Sequence, residues 1–215
     1  MENFHLSVND IYLFPINLII GILILVKFKN ILNLNGKEII FIYSYHCLFT
    51  LVYFFFSISN FNDSVFYFLN SEKEIYDFSF GTSFIQSIIN LLVNNLKISL
   101  FNLFYIFNIF GSFALALIYS SFKFLRLDKL SEKIITIIIC FLPSIYFWSS
   151  SVGKESVTFL AIGFLLFAHI KKNINYFYII ISFILFLLVR PFMAGFMIIS
   201  YPLIYLFRPN KFFLQ

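Results

Sequence analysis

Apolar runs of about 15 to 23 residues, separated by short polar or charged connections, recur along almost the whole chain. A hydrocarbon core of roughly 30 Å takes about 20 apolar residues to cross as a helix. The pattern therefore predicts an all-α membrane protein with about seven transmembrane helices, over approximately 11–27, 39–58, 99–121, 134–148, 155–170, 175–189 and 192–207. The last four runs are short, which implies upright or partly shielded helices. Pro15, Pro143 and Pro202 fall near span ends or at places where a helix can kink. The connection 59–98 is long enough to hold structure of its own. Between Phe84 and Lys97, apolar Phe84, Ile85, Ile88, Ile89, Leu92 and Leu96 alternate with a stripe of Gln86, Asn90, Asn94 and Lys97. That spacing predicts an amphipathic helix lying in the interface or covering the bundle.

Composition fits this picture. The chain has 215 residues, one domain's worth, of which 61% are hydrophobic and 12% charged. The 34 phenylalanines, with abundant Ile, Asn and Lys, reflect an AT-rich coding bias and say nothing about activity. Cys47 and Cys140 lie inside apolar runs without metal-ligand spacing and read as buried thiols. The first apolar run lacks the basic leader and small-residue cleavage site of a signal peptide.

Charge sets the expected orientation. Eleven of the 15 basic residues (Lys27, Lys29, Lys37, Lys123, Arg126, Lys129, Lys133, Lys171, Lys172, Arg208 and Lys211) fall in alternate connections. The remaining four, Lys73, Lys97, Lys154 and Arg190, share the other set with most of the acids. The positive-inside rule puts the first set in the cytoplasm, the N-terminus outside and the C-terminus inside.

Lys154 and Arg190 thus stand on the side that disfavours cations. Lys154 belongs to Phe-Trp-Ser-Ser-Ser-Val-Gly-Lys-Glu-Ser at 147–156, and Arg190 to Val-Arg-Pro-Phe-Met-Ala-Gly at 189–195. Ser149, Ser150, Ser151 and Gly153 offer hydroxyls and open backbone just before a helix start. With Lys154 they suggest an anion site, the expected anion being a lipid carrier's phosphate, and Arg190 has the fork to grip the same group. Trp148 and Glu155, in the same motif, are expected to contact the substrate together with Lys154, Arg190, Ser150 and Ser151. Asp63, just after the second run, is placed to act as general base on an acceptor hydroxyl. Plainer readings stand beside these: Arg190 as a snorkelling helix-end cation, Lys154 and Glu155 as local charge balance, Asp63 as a solvated loop acid, and Asn62-Asp63-Ser64 as a chance glycan sequon. His46 and His169 lack partners at matching depth for a proton relay. Tyr67, Tyr146, Trp148 and Tyr201 are expected in an aromatic interface belt. There is no Walker motif, dinucleotide fingerprint or metal-ligand cluster, so ATP-driven transport by this chain alone is disfavoured.

The stretch 143–155, Pro-Ser-Ile-Tyr-Phe-Trp-Ser-Ser-Ser-Val-Gly-Lys-Glu, followed after a span by Leu-Val-Arg-Pro at 188–191, resembles bacterial membrane proteins of surface-polysaccharide synthesis. Many of these are grouped with the polytopic glycosyltransferases of the C superfamily, relatives of the protein-mannosylating enzymes. Asn62-Asp63-Ser64 with Tyr67, and Phe-Gly-Thr-Ser-Phe-Ile at 80–85, resemble that group's first outer loop. The likeness covers roughly residues 60–195. It implies sugar transfer from a polyprenyl-phosphate carrier on the outer face, with Asp63 as base and Lys154 and Arg190 holding the carrier phosphate. Membrane lipids and the polyprenyl-phosphate sugar are the implied partners, nucleic acid is not, and no cofactor is implied, although a divalent metal is compatible. Two departures stand out: the long outer loop follows the second span, and the chain holds only about seven spans. They imply a reduced relative, a truncated copy, or a second membrane polypeptide that completes the protein. A polysaccharide polymerase, and a non-catalytic membrane subunit or small transporter, are the competing expectations.

Overall fold

In a computed structural model, residues 8–73, 78–124, 130, 134, 137–138, 141–170 and 175–207 are described. Among them every regular element is helical. Helix α1 runs Val8–Leu32 and α2 runs Gly36–Asn60, joined by a turn where Asn35 and Glu38 form a reciprocal capping box. Phe61, in the left-handed region at φ 45, ends α2. Asn62 accepts from the Ser64 amide and opens α3, Asp63–Lys73. Helix α4, Thr82–Asn90, continues into a π-helical turn, Leu91–Asn95. Helix α5 spans Leu100–Phe124, α6 Pro143–Ser149, α7 Lys154–Ile170, α8 Tyr176–Val189 and α9 Pro191–Phe207.

Among the described residues three helices, α1, α2 and α5, are long and apolar enough to cross a membrane by themselves, and α6 with α7 makes a fourth if that bent pair is one span. The apolar helices α8 and α9 are shorter. The expected spans thus coincide with helices at α1, α2, α5, α7, α8 and α9. The run 134–148 differs. Residues 135–136 and 139–140, with Cys140, lie outside the described residues, and helix does not continue through Phe141 and Leu142. Pro143 then starts the separate helix α6, which is bent by 116° against α7. Proline has no N–H to give and fits the first helical position, so it begins a helix here instead of riding inside one. The connections 125–129, 131–133, 171–174 and 208–215, which carry many of the expected cytoplasmic charges, also lie outside the described residues.

Helix α5 is the axis. It packs on α1, α2, α6 and α7, and α7 in turn carries α8. Lipid tails are as apolar as the helices, so close packing and interhelical hydrogen bonds hold the bundle together. The α5 sequence supplies small residues for that purpose: Gly111, Ser112, Ala114, Ala116, Ser120 and Ser121 are all buried. A Cβ placed on Gly111 would collide with the Ser149 carbonyl oxygen and lie 2.6 Å from His46 Nε2, so only glycine admits the end of α6 this near. Polar contacts fasten neighbouring helices. Asn17 of α1 donates to Asn102 of α5 at 3.0 Å, Asn108 of α5 to Thr50 of α2 at 2.6 Å, and Ser182 of α8 to the Ala161 carbonyl of α7 at 2.7 Å.

These pairings sort the helix ends into two groups. At one, Lys123 on α5 meets Glu38 at 2.9 Å and the Asn33 carbonyl at 3.0 Å, and Ser120 donates to the Leu32 carbonyl. At the other, the end of α8 meets the start of α7 and the α3–α4 segment.

The α3–α4 segment is a packed layer. Ile85, Ile89 and Val93 join Val65, Tyr67, Phe68, Leu100, Leu103, Phe104 and Phe107 in one buried cluster. Asn90 and Asn94 both donate to the Ser71 carbonyl, at 2.9 and 2.8 Å. The polar stripe read from the sequence is therefore partly spent on α3.

Candidate functional site

The second end group gathers the charges singled out in the sequence. Arg190 closes α8, and Pro191 starts α9 at once. The guanidinium Nη2 meets Glu155 Oε1 at 2.9 Å, and Nε donates to Thr158 Oγ1 at 3.1 Å. The carboxylate sits in the first turn of α7, where a negative charge suits the helix dipole. Lys154 begins the same helix. Its ammonium donates to Thr82 Oγ1 of α4 at 3.1 Å and has no carboxylate within ion-pair reach among the described residues. Gly81, with φ 83, turns the chain so that its N–H reaches the Leu188 carbonyl of α8 at 2.7 Å. That bond docks the start of α4 beside Arg190.

Tyr67 of α3 lies under this cluster. It is buried, and a Cβ added to Gly153 would fall 3.3 Å from both its ring and Glu155 Oε2. Burial, then the carboxylates of Asp63 and Glu155, push its hydroxyl up to about 12, with Arg190 pulling the other way. Asp63, Glu155 and Arg190 therefore all act on the same phenol. Asp63 itself is exposed, in the first turn of α3. The Tyr67 phenol ionises more readily in the unfolded chain, near 10, so folding loses stability as pH rises from about 10 to about 12. In alkaline absorbance titration, Tyr67→Phe should take one phenol out of the limb near pH 12; a limb of unchanged amplitude would show that the charges do not converge there.

The remaining candidates are placed differently. Trp148 is 51% exposed, its indole edge-on to Phe147 at 5.5 Å. Ser150 and Ser151, expected as substrate contacts, are sealed inside at 0% and 2% exposure. The Ser150 hydroxyl donates to the Tyr146 carbonyl at 2.7 Å. The helix break turns these serines into the core while Lys154 turns out of it. The belt expectation is corrected for Tyr67 and Tyr146, which are core residues at 4% and 1% exposure. Tyr201 pairs with His169 Nε2 at 2.9 Å instead. The sequon asparagine, Asn62, spends its amide N–H on Ser57 at 2.8 Å and its oxygen on the cap of α3.

His46 has more partners than the sequence suggests. It is completely buried in α2, with Nε2 at 3.0 Å from Ser149 Oγ and 3.5 Å from Ser150 Oγ. The bend between α6 and α7 brings those serines to it. Among the described residues no group of three or more His, Cys, Asp or Glu side chains is arranged to hold a metal. A cavity of about 530 Å³ between α1, α2 and α5, with Phe14, Leu18, Tyr43, Cys47 and Tyr105 in its walls, shares no lining residue with the charged cluster. No family model, curated protein or solved structure matches this chain.

Proposed function

We propose that the chain is an integral membrane protein of about seven spans, N-terminus outside and C-terminus cytoplasmic, in a bacterial inner membrane. It holds a polyprenyl-phosphate-linked sugar at the outer end of the bundle and transfers the sugar to a glycan or lipid acceptor. One observation carries this reading. Two cations that oppose the charge bias converge beside the α3–α4 layer, through bonds spanning 35 residues for Arg190–Glu155 and 72 for Lys154–Thr82.

The ion pair itself is a weak reason to keep these charges. Both side chains are about a third exposed, at 29% and 32%, and such pairs contribute about 1 kcal/mol or less. A ligand gives a stronger one. Thr82 takes one Lys154 N–H, Glu155 and Thr158 take two from Arg190, and among the described residues the rest have no side-chain partner that would keep them from phosphate oxygens. In the transfer, the acceptor hydroxyl oxygen attacks the anomeric carbon and the bond to the phosphate oxygen breaks. The bonding pair leaves with the phosphate, where Lys154 and Arg190 offset the charge. The hydroxyl proton goes to the Asp63 carboxylate.

The internal pairing of Arg190 with Glu155 favours a second reading, in which the cluster locks α7 to α8 and α9 in a non-catalytic subunit. Binding separates the two. With purified protein in nanodiscs, Arg190→Ala should weaken binding of polyprenyl phosphate at least tenfold and leave binding of uncharged polyprenol unchanged. Equal binding of both lipids by wild type and variant would favour the second reading.

A further inference from the structure

The cavity of about 530 Å³ is walled by α1 and α2, with Tyr105 of α5 as its third side. Its α1 wall runs from Phe14 to Ile22 and its α2 wall from Tyr43 to Leu51. At a rise of 1.5 Å per residue each wall is about 12 Å long. Two of its polar groups are spent within the bundle. The Tyr43 hydroxyl donates to the Leu18 carbonyl at 3.0 Å, and Cys47 Sγ lies 3.7 Å from Asn108 Nδ2. Ile19, Leu48 and Leu51 of the walls are exposed, so the cavity is continuous with the outer apolar surface of two helices able to cross a membrane.

The same face ends in positive charge. From Ile22, helical spacing leads through Val26 to Lys29; from Ser44 it leads back through Ile40 to Lys37. All four of these further residues are exposed. Each lysine stands two turns, about 10 Å, beyond the cavity wall. The two stripes converge at the α1–α2 turn, where the Leu34 amide donates to the Lys29 carbonyl at 3.0 Å. Neither lysine has a carboxylate within ion-pair reach among the described residues. The only acid in 27–41 is Glu38, and it is held by Lys123 at 2.9 Å and by the Asn35 amide at 2.7 Å.

We infer that this face binds one anionic phospholipid from the leaflet at the Lys123 end. Its phosphate lies at Lys29 and Lys37, and one acyl chain passes Val26 and Ile40 into the cavity. The length agrees. From the lysines to the far end of the cavity is about 22 Å, half of a bilayer of about 40–45 Å with its headgroups. The charge agrees too, because cations beside a membrane span draw anionic headgroups. A zwitterionic lipid brings a cation of its own, and a second copy of the chain packed symmetrically on this face would set lysine against lysine.

Native mass spectrometry of the full-length protein, released from nanodiscs holding equal amounts of phosphatidylglycerol and phosphatidylcholine with the same chains, is the test. Wild type should retain phosphatidylglycerol in preference to phosphatidylcholine. Lys29→Gln with Lys37→Gln should lower retained phosphatidylglycerol about tenfold or more and leave phosphatidylcholine unchanged. Ser44→Trp keeps both lysines and puts bulk on the cavity wall, and it should also reduce retained phosphatidylglycerol; monodisperse elution checks the fold of each variant. Equal retention of the two lipids by wild type, a preference that survives the double lysine substitution, undiminished retention in Ser44→Trp, or a dimer of the chain in place of lipid adducts overturns the proposal.

Discussion

Gly111→Val should prevent the bundle from closing. The added side chain would collide with a backbone oxygen, that of Ser149, and begin 2.6 Å from the His46 ring. A clash with a flexible side-chain tip can be relieved by rotation, but a backbone carbonyl cannot move without its chain. Here that chain is the enclosed end of α6, whose Tyr146 and Ser149 are buried. Relief requires α5 to withdraw from α6, which breaks the His46–Ser149 contact and loosens the α5–α7 seam that places Lys154. Overpacking of a well-packed core costs about 1–3 kcal/mol, and a β-branched side chain against backbone lies at or above the top of that range. The expected result is aggregated material, or an apparent Tm lower by about 6 °C or more, in fluorescence-detected size-exclusion chromatography. Gly36→Ala is the control. Nothing lies within 4 Å of a Cβ there, so that variant should behave as wild type. A Gly111→Val protein as stable as wild type would mean that α5 and α6 do not meet in this way.

Asp63→Asn should abolish transfer and leave the fold intact. The substitution keeps the shape of the side chain and removes the charge that would receive the acceptor's proton. The cap of α3 comes from Asn62, not Asp63, so the local structure survives. Losing a negative charge from a helix first turn costs about 0.3–1 kcal/mol, too little to unfold the layer. Losing a general base removes about 10²–10⁴ of rate. Transfer of radiolabelled sugar from a polyprenyl-phosphate donor in membranes carrying wild type or variant measures the effect, with monodisperse elution as the check on folding. Undiminished transfer by Asp63→Asn would remove Asp63 from the chemistry.

Hydropathy is enough to find most of the helices here, because an apolar run must become a helix wherever water cannot satisfy its backbone. The same rule explains where sequence reasoning fails. Residues 134–148 are as apolar as their neighbours, yet helix is interrupted at Phe141 and Leu142 and restarts at Pro143. Hydropathy averages over a window and does not register a break of two residues. The convergence of Lys154 with Arg190 is half legible. Charge bias marks both as anomalous and places them at one end, but their bonds to Thr82, Glu155 and Thr158 depend on how α4 docks on α8. No local pattern encodes that docking, and only the φ-permissive Gly81 marks its position. The SSS run shows the opposite failure. Three hydroxyls before a lysine read as an anion cradle, but the bend buries all three and sets Ser149 and Ser150 against His46. A buried histidine in an apolar run with no polar residue three or four positions away except Thr50 gave no sequence signal that its partners lie on another element.

The central claim is that Lys154 and Arg190, with Asp63 beside them, meet a phosphorylated lipid at one end of the bundle. Photo-crosslinking with a diazirine-bearing polyprenyl phosphate, followed by peptide mapping, tests it most directly. The account predicts adducts on the starts of α7 and α9 and on the α3–α4 layer, competed by unlabelled polyprenyl phosphate and lost in Arg190→Ala. Adducts confined to the opposite end, around Lys123 and Glu38, or insensitive to Arg190→Ala, would contradict it.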